Sequence, residues 1–476
     1  MLLLARFFSA SDLAVFPLCF LVMLFIIRSK AKRQKDERMK MLYFRAFYFK
    51  LICVLAFVLL SEFYFKGGDT GLYFQATQDL RAAIKDNPDN FWLSLTTQKL
   101  TMKSPLFDYF YYDNYEHDLT YNYMFSTANF FPPKLALIPS YLFFNSYLCV
   151  SMCFAFFALG GCIRLFKTFY HFYPELYRQI AFACLFLPSV TYWSSGLLKD
   201  PICLGSVGYI TYAFLNIFVL KRKILVSAAI IVLCSLLLYF IKVYILLVLV
   251  LALLIWQFAE FNKLVENKTL RRIFAGMTFI IGALVGLLLM NYLTSTEAGQ
   301  QYQLDDIMGQ AEYQRELYTK VAIHSGTTGS NFTISTKNPV LLVLAGLSAT
   351  FFRPFLWEVT SPIVLLAVFE SSIFLFLTLY FVYKRGLLTY FKQSFGEPRM
   401  LMCFVFAFVF AVAVGISSAN FGALSRYKIP CMPFYLTLMM LLYQKSNLVL
   451  PRWFNKIIDI AVPLRQQYYV RHSRLS

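Results

Sequence analysis

The stretch ILVSAAIIVLCSLLLYFIKVYILLVLVLALLIWQFAE, residues 224–260, decides the fold. About 20 apolar residues in a helix cross the hydrocarbon core of a bilayer. This run is far longer, and its one lysine, Lys242, falls near the middle. It predicts a hairpin of two crossing helices that turns at IKVY. Lys242 then sits at a membrane face, where the long side chain keeps its ammonium near water.

The rest of the chain has the same character. Of 476 residues, 59% are hydrophobic and only 14% charged, far more apolar than a soluble chain of this size needs. The net charge of +19 does not indicate a nucleic-acid partner, because Lys and Arg gather in short loops between apolar runs, where they set membrane orientation. The ten cysteines are scattered, mostly within apolar runs, and include no CxxC pair. Neither a zinc site nor a disulfide framework follows. The sequence specifies no cofactor and leaves a divalent metal open, although no ligand pattern supports one. The first apolar run leads into RSKAKRQKDERMK, residues 28–40, rather than into a cleavage site of small residues.

That segment holds seven Lys or Arg against two acids and is expected on the cytoplasmic side. The fold class that follows is all-α: a polytopic integral membrane protein of about eleven transmembrane helices, N-terminus outside and C-terminus inside, with surface helices in a large first external loop. The expected spans are 10–27, 45–64, 141–163, 179–194, a fifth returning to Lys221, the two arms of the hairpin, 273–292, 361–383, 400–416 and 429–443. Residues 339–352 fit the basic loops only as a half-helix or surface helix. The chain divides into an N-terminal helix and basic loop (1–44), a seven-helix membrane module (45–293) with the loop at 66–135, an external loop (294–338), C-terminal helices (339–445) and a basic tail (446–476).

This threading puts a set of charges on the external edge, each in apolar or aromatic sequence: Asp69, Lys199, Asp200, Lys242, Arg353, Glu358 and Arg426. Bland roles exist for each. Lys242 snorkels; Lys199 and Asp200 pair locally, or Asp200 caps the helix that begins at Pro201. Arg353 and Glu358, in FRPFLWE, pair across one turn beside Trp357 in the headgroup belt. Glu370 lies within a span with no visible partner. Taken together, Arg and Lys without evident acidic partners make a phosphate site, since guanidinium grips phosphate oxygens as a fork and ammonium adds charge. An accessible Asp beside a Gly-Gly turn supplies a base or an orienting carboxylate for an acceptor hydroxyl. Trp193 and Tyr427 flank these charges in sequence.

Three stretches carry a resemblance: GGDTGLYF (67–74) with Asp69, followed by the loop of surface helices at 75–130; FLPSVTYWSSGLLKDP (186–201); and Arg426-Tyr427 followed by Pro430 and Pro433. With them the chain resembles the GT-C superfamily of membrane glycosyltransferases that use polyprenyl-phosphate sugars, with some likeness to O-antigen-type polysaccharide polymerases. The resemblance implies a seven-span module over helices 2 to 8 and transfer of a sugar from an undecaprenyl-phosphate carrier. The acceptor would be a glycan, lipid or protein at the outer face of a bacterial inner membrane. In it Asp69 is the catalytic base, while Arg426, Arg353, Lys199, Lys242 and Tyr427 hold the carrier phosphate, supported by Asp200, Glu358 and Trp193. Many relatives place two adjacent acids where Asp69 stands alone; Asp79, Asp108, Asp113, Glu116 and Asp118 share its loop. The alternatives to a transferase are a surface-polysaccharide polymerase, favoured by the loop at 293–338, and a transporter or flippase of lipid-linked sugars. The sequon at Asn331 falls in that loop, and no Gly-rich nucleotide loop is present.

Overall fold

The computed structural model describes residues 7–111, 122–263, 338–359, 362–418 and 420–463, together with Phe332 and a few positions between 266 and 276. Every regular element among them is a helix. Among the described residues seven helices are long and apolar enough to cross a membrane: Asp12–Lys32, Glu37–Phe63, Tyr147–Phe172, Lys199–Val219, Ile224–Lys263, Ala367–Arg385 and Pro398–Ser417. The protein is an all-helical, multi-pass membrane protein, and the count of eleven spans is not confirmed.

The elements run α1 (Ala10–Lys32), α2 (Glu37–Phe63), α3 (Gly68–Asp86), α4 (Asn90–Thr96), α5 (Phe107–Tyr111), α6 (Thr127–Leu142), α7 (Tyr147–Phe172), α8 (Tyr177–Ala181) and α9 (Pro188–Trp193). They continue as α10 (Lys199–Phe214), α11 (Ile224–Lys263), α12 (Pro339–Phe352), α13 (Pro362–Arg385), α14 (Leu387–Phe395), α15 (Pro398–Ser417), α16 (Phe421–Tyr427), α17 (Met432–Lys445) and α18 (Arg452–Ala461).

The expected eleven differ from these for local reasons. The span placed at 179–194 is broken: α8 passes through a π-helical turn at Phe182–Phe186, and Pro188 then starts a separate six-residue helix. Pro188 has no amide hydrogen to continue the ladder. The span expected at 429–443 is the fourteen-residue α17, which opens with Pro433 in its first turn. The third span begins at Tyr147 rather than near 141, because Phe144 and Asn145 take left-handed φ values of 50° and 59° and Ser146 caps the new helix through Cys149 N at 3.1 Å. Apart from Ile273, Gly276, Phe332 and Asn338, the span expected at 273–292 and the loop at 294–338, with Asn331, lie outside the described residues.

The chain leaves helical geometry within α11 at Lys242 (φ −152°, ψ 78°). Contacts with α10 show that the two arms fold back on each other. Lys242 meets Asp200 at the start of α10, Cys234 lies beside Ser206 further along, and Trp256 packs on Phe214 near the far end (ring centroids 5.3 Å). Both arms therefore run along α10 from one end. Close helix packing requires small residues: α7 and α10 cross at Gly161, Gly205 and Gly208, where a Cβ on Gly161 would run into the Gly205 backbone.

α12 is too short to cross. Gly346 backs onto Gly415 of α15, and Thr350 Oγ1 donates to the Ala411 carbonyl at 2.6 Å, so α12 descends antiparallel to α15. At its end the Arg353 carbonyl accepts from Ser371 of α13 at 3.0 Å, and the chain turns back. Its last residues, Ala349, Thr350 and Phe351, are buried within the protein.

These contacts define two ends of the bundle. One gathers the ends of α1 and α7 (Lys167 Nζ to Gln34 Oε1, 3.3 Å), the end of α11 and start of α15 (Glu260 with Arg399, 3.0 Å) and the end of α17 (Gln444 Nε2 to Glu175 Oε1, 2.7 Å). The other holds the start of α7, whose Ser146 and Leu148 both donate to Asp12, and the residues described next. Between the ends lies a continuous apolar core, including Trp256, Phe166, Phe169 and Tyr435.

Candidate functional site

Residues 66–69 place the first candidate side chain. Lys66, Gly67 and Gly68 have φ of 53°, 102° and 54°, a left-handed run that glycine tolerates at two of the three positions. The chain turns sharply out of α2, and Asp69 stands in the first turn of α3, where the helix dipole favours a carboxylate. Asp200 occupies the first turn of α10, directly after Lys199. Lys242 comes from the hairpin turn of α11 and Arg426 from α16.

Four segments thus converge on one charge cluster. Arg426 Nη1 lies 2.6 Å from Asp69 Oδ2, and its Nε lies 3.1 Å from Asp200 Oδ2. Lys242 Nζ reaches the other oxygen, Asp200 Oδ1, at 2.8 Å. Asp200 is the shared centre, its side chain 2% exposed, whereas Asp69 is 33% exposed and forms the accessible rim. Lys199 does not pair with its neighbour. Its ammonium donates to the amide oxygen of Asn129, and among the described residues no carboxylate lies within salt-bridge distance. Aromatic faces close the cluster: Lys242 lies 4.3 Å from the Tyr427 ring centroid and Arg426 5.8 Å from that of Trp193.

Burial would by itself raise the Asp69 carboxyl, but the Arg426 guanidinium, with Lys199 behind it, outweighs burial and holds it below the ordinary value of 3.8. For Arg426, burial opposes the charged form, and the two carboxylates override it and raise its pKa. Tyr73, one turn after Asp69, shares a hydrogen bond of 3.3 Å with Tyr123. Burial, with the nearby Asp69 charge adding, pushes both phenols up, so they remain neutral.

The remaining predicted residues fall elsewhere. The structure gives acidic partners to Lys242, Arg426 and Arg353 but not to Lys199. Arg353 is gripped by Glu358, its Nε 3.0 Å from Oε1 and 3.2 Å from Oε2, and its guanidinium covers Phe332 and Phe421 at 4.4 and 5.3 Å. It stands by the start of α16, separate from the Arg426 cluster. Glu370 accepts from Ser189 N at 3.0 Å and from the Ser189 hydroxyl, with Lys428 in electrostatic range. Asp79 is buried in α3 and accepts from Gln75 at 3.0 Å; Asp108 is exposed on α5. Asp113, Glu116 and Asp118 lie outside the described residues.

Sequence reasoning misses Asn129, Tyr73, Tyr123 and Lys50. The Lys50 ammonium, buried in α2, donates to the Thr191 and Ser194 carbonyls at 3.1 and 2.6 Å and so caps the end of α9 that carries Trp193. A lysine in the middle of an apolar span was the signal for it; the tyrosines had none beyond an aromatic-rich loop. Among the described residues no three His, Cys, Asp or Glu side chains gather as a metal site, and both carboxylates of the cluster face cations. Comparison with known protein families, curated proteins and solved structures finds no match.

Proposed function

We propose that the chain is a membrane glycosyltransferase that moves a sugar from a polyprenyl-phosphate-type lipid carrier to a glycan, lipid or protein acceptor at the external face of a bacterial cytoplasmic membrane. The observation that carries this reading is the cluster itself: Lys199, Lys242 and Arg426 against Asp69 and Asp200, an excess of one positive charge in a partly desolvated site with an accessible carboxylate. Such a set suits a phosphate beside a hydroxyl acceptor. The orientation, with this end outside, rests on the basic runs at 28–40 and 221–223, which belong to the opposite end.

The geometry supports a substrate-triggered base. In the resting protein Arg426 suppresses the basicity of Asp69. A carrier phosphate that takes over the guanidinium releases Asp69, whose carboxylate then accepts the proton of the acceptor hydroxyl. The hydroxyl oxygen attacks the anomeric carbon as the bond from that carbon to the phosphate oxygen breaks. The electron pair leaves with the carrier phosphate, whose growing charge Arg426 and Lys199 stabilise. Asp200 holds Arg426 and Lys242 in register from below.

The test is transfer from labelled polyprenyl-phosphate sugars by purified protein. Asp69→Asn should lower kcat by roughly 10²–10⁴-fold, the usual worth of a general base; Arg426→Ala should reduce both carrier affinity and rate. Full transfer by Asp69→Asn would remove Asp69 as the base, and no transfer from any donor alongside passage of lipid-linked glycan across liposomes would overturn the reading in favour of a transporter.

A further inference from the structure

At the opposite end of the bundle a cavity of about 500 Å³ opens between α1, α7, α10 and the turn before α11. Among the described residues five cations line it, Lys30, Arg33, Arg164, Lys167 and Lys223, and no carboxylate does. Positive loops alone do not explain this arrangement. Lys30, Arg164 and Lys167 lie within the helices rather than in loops, half-buried, and Lys30 is within electrostatic range of Arg33, Arg164 and Lys167. Like charges turned toward one another around a cavity repel, and what holds them is neutral. Arg164 stacks 4.3 Å from the Tyr209 ring centroid and donates to the Gly160 carbonyl at 3.0 Å. Lys167 lies 5.3 Å from the Tyr43 centroid and donates to Gln34, and Lys30 lies 5.9 Å from that of Phe156. The guanidinium and ammonium groups are pre-positioned, and among the described residues none has a carboxylate partner.

The same cavity is also lined by the apolar residues Ile27, Phe157, Leu159 and Ile163. A lining that combines cations with hydrocarbon matches an amphiphile whose head is a phosphate. The geometry points to a binding site for the headgroup of an anionic phospholipid of the cytoplasmic leaflet, independent of the charge cluster at the other end. Basic pockets between helices at that surface recognise such headgroups through charge, and guanidinium supplies the two-pronged hydrogen bonding.

The experiment compares full-length protein and the Lys30→Gln/Lys167→Gln double variant in nanodiscs of zwitterionic phospholipid, with an anionic phospholipid titrated in. Lipid retained by the protein is read by native mass spectrometry and the melting temperature is read in parallel. Wild type should retain anionic lipid and gain melting temperature with it; each cation removed should weaken retention about fivefold. Equal melting temperatures of the two proteins in purely zwitterionic discs would show that the double variant is folded. If its baseline is lower, Arg33→Gln and Lys223→Gln, at the exposed rim, should each give the same fivefold loss. Retention of anionic and zwitterionic lipid to the same extent, or unchanged retention in the variants, would overturn the assignment. Stabilisation by inorganic phosphate as large as that by lipid would assign the cavity to a soluble phosphate instead.

Discussion

At the residue scale, Asp69 and Asp200 carry the same charge in different roles. Asp69 is rim-exposed and held in its ionised form by Arg426, so its contribution to stability has a definite sign. Its folded pKa lies below the ordinary 3.8, so its contribution is complete above that value and is lost as pH falls through the folded pKa. Melting curves across pH should show Asp69→Asn less stable than wild type at neutral pH, with the gap closing on acidification; a gap that widens toward acid would reverse the sign assigned here. In the same melts Asp200→Asn should cost about 3–5 kcal/mol, because it strips a buried carboxylate from two cations at once. If carrier phosphate displaces Asp69 from Arg426, the acid limb of kcat should lie at higher pH than that of kcat/KM, since the first reports the loaded site and the second the free one.

At the element scale, the position of the cluster depends on helices that approach closely or break at set points. The α7–α10 crossing brings the start of α10, with Lys199 and Asp200, to its place. Gly161 faces Gly205 and Gly208 there with no room for a side chain. Gly161→Leu should destabilise the protein by about 1–3 kcal/mol or more through overpacking, and should also reduce transfer although it touches no charged residue. Melting temperature with a parallel activity assay checks this; unchanged stability would mean that the two helices separate without cost. The hairpin turn at Lys242 is legible in the length of the 224–260 run. The breaks at Pro188 and ahead of α17 were visible as prolines, yet they end helices that composition alone reads as spans.

At the scale of the whole molecule, the two ends carry different chemistry. One presents paired charges among aromatics, the other uncompensated cations around a cavity. The ten native cysteines form a quiet background for mapping, since all but Cys153 are buried. Single cysteines introduced at Lys66 and Lys223, both exposed, should react with a membrane-impermeant thiol reagent from opposite sides of sealed vesicles. Labelling of both from one side would refute the threading and with it the external placement of the site.

The sequence by itself determined that this is a helical membrane protein, that the 224–260 run turns back at Lys242, and that Asp69, Lys199, Asp200, Lys242 and Arg426 are charges out of keeping with their surroundings. These follow from hydropathy and the cost of charge in hydrocarbon, which act locally along the chain. Only the tertiary structure decided the partners. Asp200 joins Lys242 from 42 residues away and Arg426 from 226, rather than the adjacent Lys199, whereas the Arg353–Glu358 pair is the local one that FRPFLWE already offered. The choice depends on which helix starts and turns are brought together, and that is set by packing between helices, glycine against glycine and ring against ring, which no one segment encodes.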